Sequence, residues 1–235
     1  MSRASENDVA SAALPVSADD ALADRMRRAF EEALLEPISI ISSMATLLPE
    51  GSQADGPRQA IGSAAMQADT ALRDLLEYLE YQVSGVPVVR RRVDLRLLCE
   101  RVLDSIQAKY ADSPIAFTCA GAIEGDWDPD RLASLLSRLV VDAMERGPTR
   151  RVLRVLLRAV GHRAVLDVCT APSKVSEPLP RVFEPFVRSA GEHSAPTLGL
   201  SLYLAQQIAR AHGGSLEALQ DAIAGTTLRV TLPRF

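Results

Sequence analysis

Few side chains in this chain of 235 residues are equipped for chemistry, and their types narrow what that chemistry can be. Its three histidines are His162, His193 and His212, so the first 160 residues hold no imidazole. Cys99, Cys119 and Cys169 are far apart and odd in number, which fits neither a disulfide framework nor a zinc site. They read as buried thiols in a reducing cytoplasm.

The elements that must position these groups fall into two kinds. Residues 1–18 are rich in Ser, Ala, Asp and Glu without periodicity and read as a disordered tail. Asp19-Asp20 offer an N-cap for a long helix, in which Leu22, Met26, Ala29, Ala33, Ile40, Met44 and Leu47 recur at helical spacing. The turn formers of Pro49-Glu-Gly-Ser-Gln-Ala-Asp-Gly-Pro57 end it. In the second helix Ile61, Ala65, Ala68, Leu72, Leu75 and Leu79 step by four and three, like a coiled-coil seam. Two such helices form a hairpin that cannot cover its own apolar faces. A second copy of the chain covering them gives a four-helix bundle, while packing onto the rest of the same chain is the alternative.

Ser84-Gly-Val-Pro87 marks the expected boundary, and beyond it short β-rich runs alternate with helices. An edge strand is expected at 86–91, a helix capped by Asp94, and a strand at 115–119. Asp128-Pro129 opens a helix carrying Leu132, Leu135, Leu136, Leu139 and Val140. Strands follow at 151–158 and 163–169, then a helix at 198–211 and a hairpin of 215–219 with 226–232. A mixed sheet with helices on one side is an α/β sandwich.

Composition supports a globular protein: 47% of residues are hydrophobic, and a net charge of −4 argues against a nucleic-acid surface. No apolar run approaches the roughly 20 residues of a membrane span.

Taken in order, Phe183-Glu-Pro-Phe186, Thr197-Leu-Gly-Leu-Ser-Leu202, His212-Gly-Gly214 and Gly225-Thr-Thr-Leu-Arg-Val-Thr-Leu-Pro233 resemble the last third of the ATP-binding domain of sensor histidine kinases. The resemblance implies an α+β chain: a tail over 1–18, an antiparallel helical hairpin over 19–84, and a histidine kinase-type ATP-binding α/β sandwich over 85–235. The segment Phe30-Glu-Glu32-Ala-Leu-Leu-Glu-Pro37 is similar to the phosphoacceptor box. Anchored on Pro37, the acceptor histidine falls on Glu32, and a carboxylate cannot stand in as a phosphohistidine donor. Read without the resemblance, Glu32 is a solvated helix charge.

Within the helix opened by Asp128, Arg138 and Asp142 stand where the family has two asparagines. The resemblance gives Asp142 the Mg²⁺ position and lets Arg138 offset charge beside a triphosphate; otherwise both are surface residues of a helix whose pocket has decayed. Asp167 corresponds to the family aspartate that accepts from the adenine amino group. Cys169 and Ala171 then replace two glycines, and their side chains would crowd the base. Thr197 and Gly199 match the second glycine box, with Thr197 in place of its first glycine. Phe183 and Phe186 fit the phenylalanine box and are expected to pack the core. ATP and Mg²⁺ are therefore expected to bind weakly or not at all.

The implied function is that of a cytoplasmic, dimeric two-component pseudokinase that binds a response regulator receiver domain or a partner kinase. A divergent kinase phosphorylating another molecule is the rival, and an adaptor with an empty pocket is a third alternative.

Overall fold

The computed structural model describes residues 25–26, 28–47, 55–146, 152–169, 179–187, 197–221 and 225–234. The expected tail, the Asp19-Asp20 cap and residues 49–54 of the first turn lie outside them.

Residues 25–26 and 28–30 are helical, a π-helical turn covers Glu31–Leu35, and helix α1 runs over Glu36–Leu47. The π turn has a local cause. Pro37 has no N–H to give, and in a regular α-helix its ring would meet the carbonyl of residue 33 at a cost of about 3 kcal/mol. A turn of wider hydrogen-bonded rings just ahead of it relieves that conflict. Helix α2, Asp55–Ser84, is the second arm of the hairpin. Pro57 falls in its first turn, where no intrahelical donor is lost. It ends where Gly85 turns to φ +70° and donates its N–H to the Tyr81 carbonyl at 3.1 Å.

The second unit starts with β1, Arg91–Asp94, and helix α3, Leu95–Lys109. Asp94 caps α3 as expected, accepting from the amides of Arg96 at 2.9 Å and Leu97 at 3.4 Å. Then come β2 Ile115–Cys119, β3 Glu124–Trp127, α4 Pro129–Arg146, β4 Leu153–Val160 and β5 Arg163–Cys169. A 3₁₀ turn over Leu179–Phe183, helix α5 Ser201–Ala211, and strands β6 Ser215–Asp221 and β7 Gly225–Pro233 complete it. β1 and β3 pair antiparallel as a small sheet; the large sheet has the order β2-β4-β5-β7-β6, parallel only between β2 and β4. Leu153, Val155, Leu157, Leu166, Val168, Leu228 and Val230 turn one face of this sheet into a core shared with the helices.

Several boundaries differ from the sequence reading. The edge strand begins at Arg91 rather than at 86, and helix α5 begins at Ser201, because Thr197 to Leu200 form the turn that enters it. Strand β3 was not anticipated: Glu124-Gly-Asp-Trp127 has no β-branched run, and its inward positions are Gly125 and Trp127. A Cβ on Gly125 would stand 2.6 Å from the Trp127 ring, so the missing side chain is what seats the indole. The fully buried Trp127 donates through Nε1 to the Pro233 carbonyl at 2.9 Å, tying β3 to the C-terminus.

The hairpin does not stand apart. Ala71, Tyr78 and Tyr81 of α2 belong to the same buried cluster as Leu204 and Ile208 of α5. The predicted seam is rotated relative to this face: Ile61 and Leu75 are half-buried, while Leu72 and Leu79 are exposed.

Candidate functional site

Helix α4 is the element on which the site is built. Asp128 caps it through Oδ1, which accepts from the amides of Asp130 at 3.0 Å and Arg131 at 3.1 Å, while Oδ2 accepts from Val89 at 2.8 Å. Burial works against the Asp128 charge, and the three backbone hydrogen bonds outweigh it, leaving the carboxyl below its ordinary pKa. The Asp128 N–H donates to His212 Nε2 at 3.1 Å, and His212 Nδ1 lies 2.8 Å from the Ile208 carbonyl. This arrangement fits a neutral ring protonated on Nδ1, fully buried and pushed below its ordinary pKa by desolvation. His212 thus fastens the end of α5 to the start of α4.

One face of α4 buries Leu132, Leu135, Leu136, Leu139 and Ala143. On another, Arg131, Arg138 and Glu145 repeat every seven residues; the two arginines meet α2, where Asp74, Glu77, Tyr78 and Tyr81 share a face. Arg138 donates through Nη1 to Asp74 Oδ1 at 2.7 Å and through Nη2 to Glu77 Oε2. The side chains of Arg138, Asp74 and Glu77 are only 14%, 14% and 18% exposed. Arg131 Nη1 reaches the Tyr81 hydroxyl at 3.0 Å and Glu77 Oε1 at 3.4 Å, and Tyr81 donates to the same carboxylate. Desolvation opposes the Arg138 charge, but the two carboxylates hold its pKa above the ordinary value. Burial pushes Asp74 up against the pull of Arg138. Arg138 is therefore neither a surface residue nor directed at a ligand, as the sequence suggested. It is spent on the hairpin.

Beside this network lies a groove of about 610 Å³ between α2, α4 and the turn entering α5. Met66, Thr70 and Asp74 form one wall, Val141 and Glu145 the other, and Thr197 the end. Its size suits a small molecule. Among its described lining residues there is no Lys or Arg, whereas Asp74 and Glu145 bring carboxylates.

The candidate residues are only partly brought together. Thr197 lines the groove, and Asp142 is half-buried on α4 beside Val141. Gly199 has φ +68°, and a Cβ there would stand 2.6 Å from the Val187 carbonyl oxygen; its glycine is demanded by backbone packing. The first turn of α5 has no side-chain cap, because Leu200 occupies the N-cap position. Phe186 packs against Phe30 and Tyr78 at centroid distances of 6.4 and 5.2 Å, in keeping with the expected core role. Glu32 lies in the π turn, and its side chain is outside the described atoms, as are Ala171 and residues 188–196.

Asp167 stands apart from the groove. It shares the sheet face of Arg158 and Arg229, opposite to the face carrying Leu166 and Val168 against the helices. Arg229 holds Asp167 in a two-point contact, Nε to Oδ1 at 2.7 Å and Nη2 to Oδ2 at 3.0 Å, and Arg158 Nη1 adds 2.6 Å. Burial raises its pKa, but these bonds more than offset that and hold the carboxyl low. In this structure its carboxylate is engaged in ion pairs across the sheet. Cys169 lies on the same outer face, its sulfur 3.6 Å from the Thr227 hydroxyl.

Asp74, Glu77, Arg131 and Glu145 were missed. Their only sequence signal is the heptad spacing of α4 and the Asp74–Glu77 step of α2, and nothing in one sequence pairs helices some 60 residues apart.

Residues 127–235 match the family model described as histidine kinase-, DNA gyrase B-, and HSP90-like ATPase. In fold, the chain is similar to the histidine kinase ThkA, solved in complex with response regulator protein TrrA: TM-score 0.70, 16% identity, 92% of this chain and 61% of that one. It is also similar to the histidine kinase AdeS of Acinetobacter baumannii, with TM-score 0.67, 14% identity, and 84% and 95% of the two chains. Residues 127–235 thus belong to that ATPase family. The chain has the architecture of a histidine kinase core, a helical hairpin followed by the ATPase-type domain. A bacteriophytochrome of Pseudomonas aeruginosa is 28% identical over 204 residues, covering 83% of this chain and 28% of the relative. Sensor protein SphS of Synechococcus elongatus is 31% identical over 177 residues, covering 69% and 43%. The chain thus spans less than half the length of these relatives. Among the described residues no helix is long and apolar enough to cross a membrane, and no cluster of three or more His, Cys, Asp or Glu could hold a metal ion.

Proposed function

We propose that this histidine kinase core works in the cytoplasm as a pseudokinase of a two-component pathway: a dimer that docks a receiver domain or a partner kinase without phosphorylating itself. The observation that carries this reading is Glu32 at the acceptor position, with no histidine in the hairpin. A carboxylate there cannot form the phosphoramidate from which a receiver aspartate is charged. The groove supports the same reading. A triphosphate entering it would meet Asp74 and Glu145, while Arg138 is held by Asp74 and Glu77.

Mg²⁺ could enter only with the nucleotide, Asp142 being the residue to hold it and Thr197 with the first amides of α5 the groups to meet phosphate oxygens. When bound, the ion would neutralise phosphate charge. The uncapped N-terminus of α5 is what favours the rival reading, a kinase acting in trans. We take 19–84 as the dimerisation and docking unit and 85–235 as the ATPase-type unit. ThkA, whose fold this chain resembles, was solved in complex with a response regulator protein, which supports a partner of that kind; we assign its docking here to the hairpin.

Calorimetric titration with ATP and Mg²⁺ separates the two readings. Weak or undetectable heat is expected. Tight, Mg²⁺-dependent binding would favour the trans kinase.

A further inference from the structure

The contact between α4 and α2 has a chemistry of its own. Both Nη groups of Arg138 are engaged by hairpin carboxylates, and Glu77 is held from its other side by Arg131 and Tyr81. The four charged groups sum to zero, two arginines against two acids, and all are largely removed from water. Such a network tolerates burial only while it is complete, since removing one member strands a charge. Asp74 belongs to two places at once: it pairs with Arg138 and lines the groove.

We propose that Arg138, Asp74 and Glu77 form a latch that holds the ATPase-type domain on α2, and that a nucleoside triphosphate and the docked hairpin compete for the same guanidinium. The inference rests on reading the groove as the nucleotide site. An incoming triphosphate meets Asp74 as a repelling charge while the latch is closed. If Arg138 swings to the phosphates, Asp74 and Glu77 lose their partner and repel both the ligand and each other. Docking therefore weakens nucleotide binding, and by linkage nucleotide weakens docking by the same factor. The hairpin controls the groove across the domain boundary through one side chain. The rest of the contact is neutral: Tyr78 against Phe186 and Tyr203 at 5.2 and 5.5 Å, and Gln82 to the Tyr203 hydroxyl at 2.7 Å.

The test uses the whole chain, with hydrogen exchange of α2 amides 71–82 as readout and amides of β5 and β7 as the internal reference. Asp74→Asn combined with Glu77→Gln keeps shape and removes charge. Exchange in α2 should then quicken by roughly 5- to 150-fold, and ATP affinity should rise by a similar factor. Arg138→Gln alone should quicken α2 exchange equally; added to the carboxylate pair it should abolish the gain in ATP affinity, whereas simple removal of acid from the groove would leave that gain in place. Asp74→Arg paired with Arg138→Asp should restore slow exchange. Unchanged α2 exchange in the first two variants would mean that the aromatic contacts alone hold the domain, and would overturn the latch. Faster exchange with no gain in affinity for the carboxylate variant would overturn the competition. The exchange arm needs no nucleotide, so the latch is tested even if the groove binds none.

Discussion

At the scale of single residues, the groups suspected of chemistry mostly turn out to be held by the protein itself. Asp167 is bound by two guanidiniums, and the Asp167→Asn variant leaves Arg158 and Arg229 short of a counter-charge. Because those arginines are more than a third exposed, water screens part of the loss, and we expect a cost of about 1–2 kcal/mol in urea unfolding. ATP binding should not change. The same carboxyl has a folded pKa below its unfolded value near 3.8. Its contribution is complete above about pH 4 and is lost as pH falls through the folded pKa. Gly199→Ala would force a side chain into a left-handed position against the Val187 carbonyl. A loss of about 1–3 kcal/mol is expected by thermal unfolding, with the turn entering α5 disturbed first.

His212 behaves in the same direction for a different reason. Burial lowers its folded pKa below the ordinary 6.5, so the neutral ring is favoured by the fold. Its stabilisation is present above about pH 6.5 and declines as pH falls toward the folded pKa, because the unfolded chain takes up the proton first. Urea midpoints should fall measurably from pH 7.5 to pH 5.5, and a His212→Gln variant should flatten that slope. An unchanged slope in the variant would mean that other groups set the pH dependence.

At the scale of elements, caps and breakers were legible and faces were not. Asp94, Asp128-Pro129 and Gly85 act through their immediate neighbours, so local sequence was enough to place them. Asp167 shows the limit. Strand β5 has a continuous buried run from Ala164 to Val168, so alternation could not tell the helix side from the outer side. Helix α2 shows a related limit, because it carries two apolar faces. Ala64, Ala71, Tyr78 and Tyr81 are buried within the chain, and the aliphatic stripe beside them remains outside. On that stripe Leu72, Leu76, Leu79 and Val83 recur at helical spacing, Leu76 being 65% and Val83 87% exposed. A second copy of the chain would cover such a stripe. Sedimentation should show a dimer for the native chain. Leu72→Lys with Leu76→Lys should give a folded monomer, since neither residue belongs to the intrachain core. A native monomer would contradict the bundle.

At the scale of the whole molecule, the fold of a histidine kinase core is present, and Glu32 stands where the resemblance puts the acceptor histidine. The ordered C-terminal series made the ATPase-type domain readable from sequence, and residues 127–235 match its family model. What sequence could not show was the use of the Arg138 position to join the domain to its own hairpin. Incubation of the full chain with γ-labelled ATP and Mg²⁺, followed by acid and base treatment, tests the central claim most directly. We predict no label on the protein above background. Acid-labile, base-stable label, the signature of phosphohistidine, would contradict it.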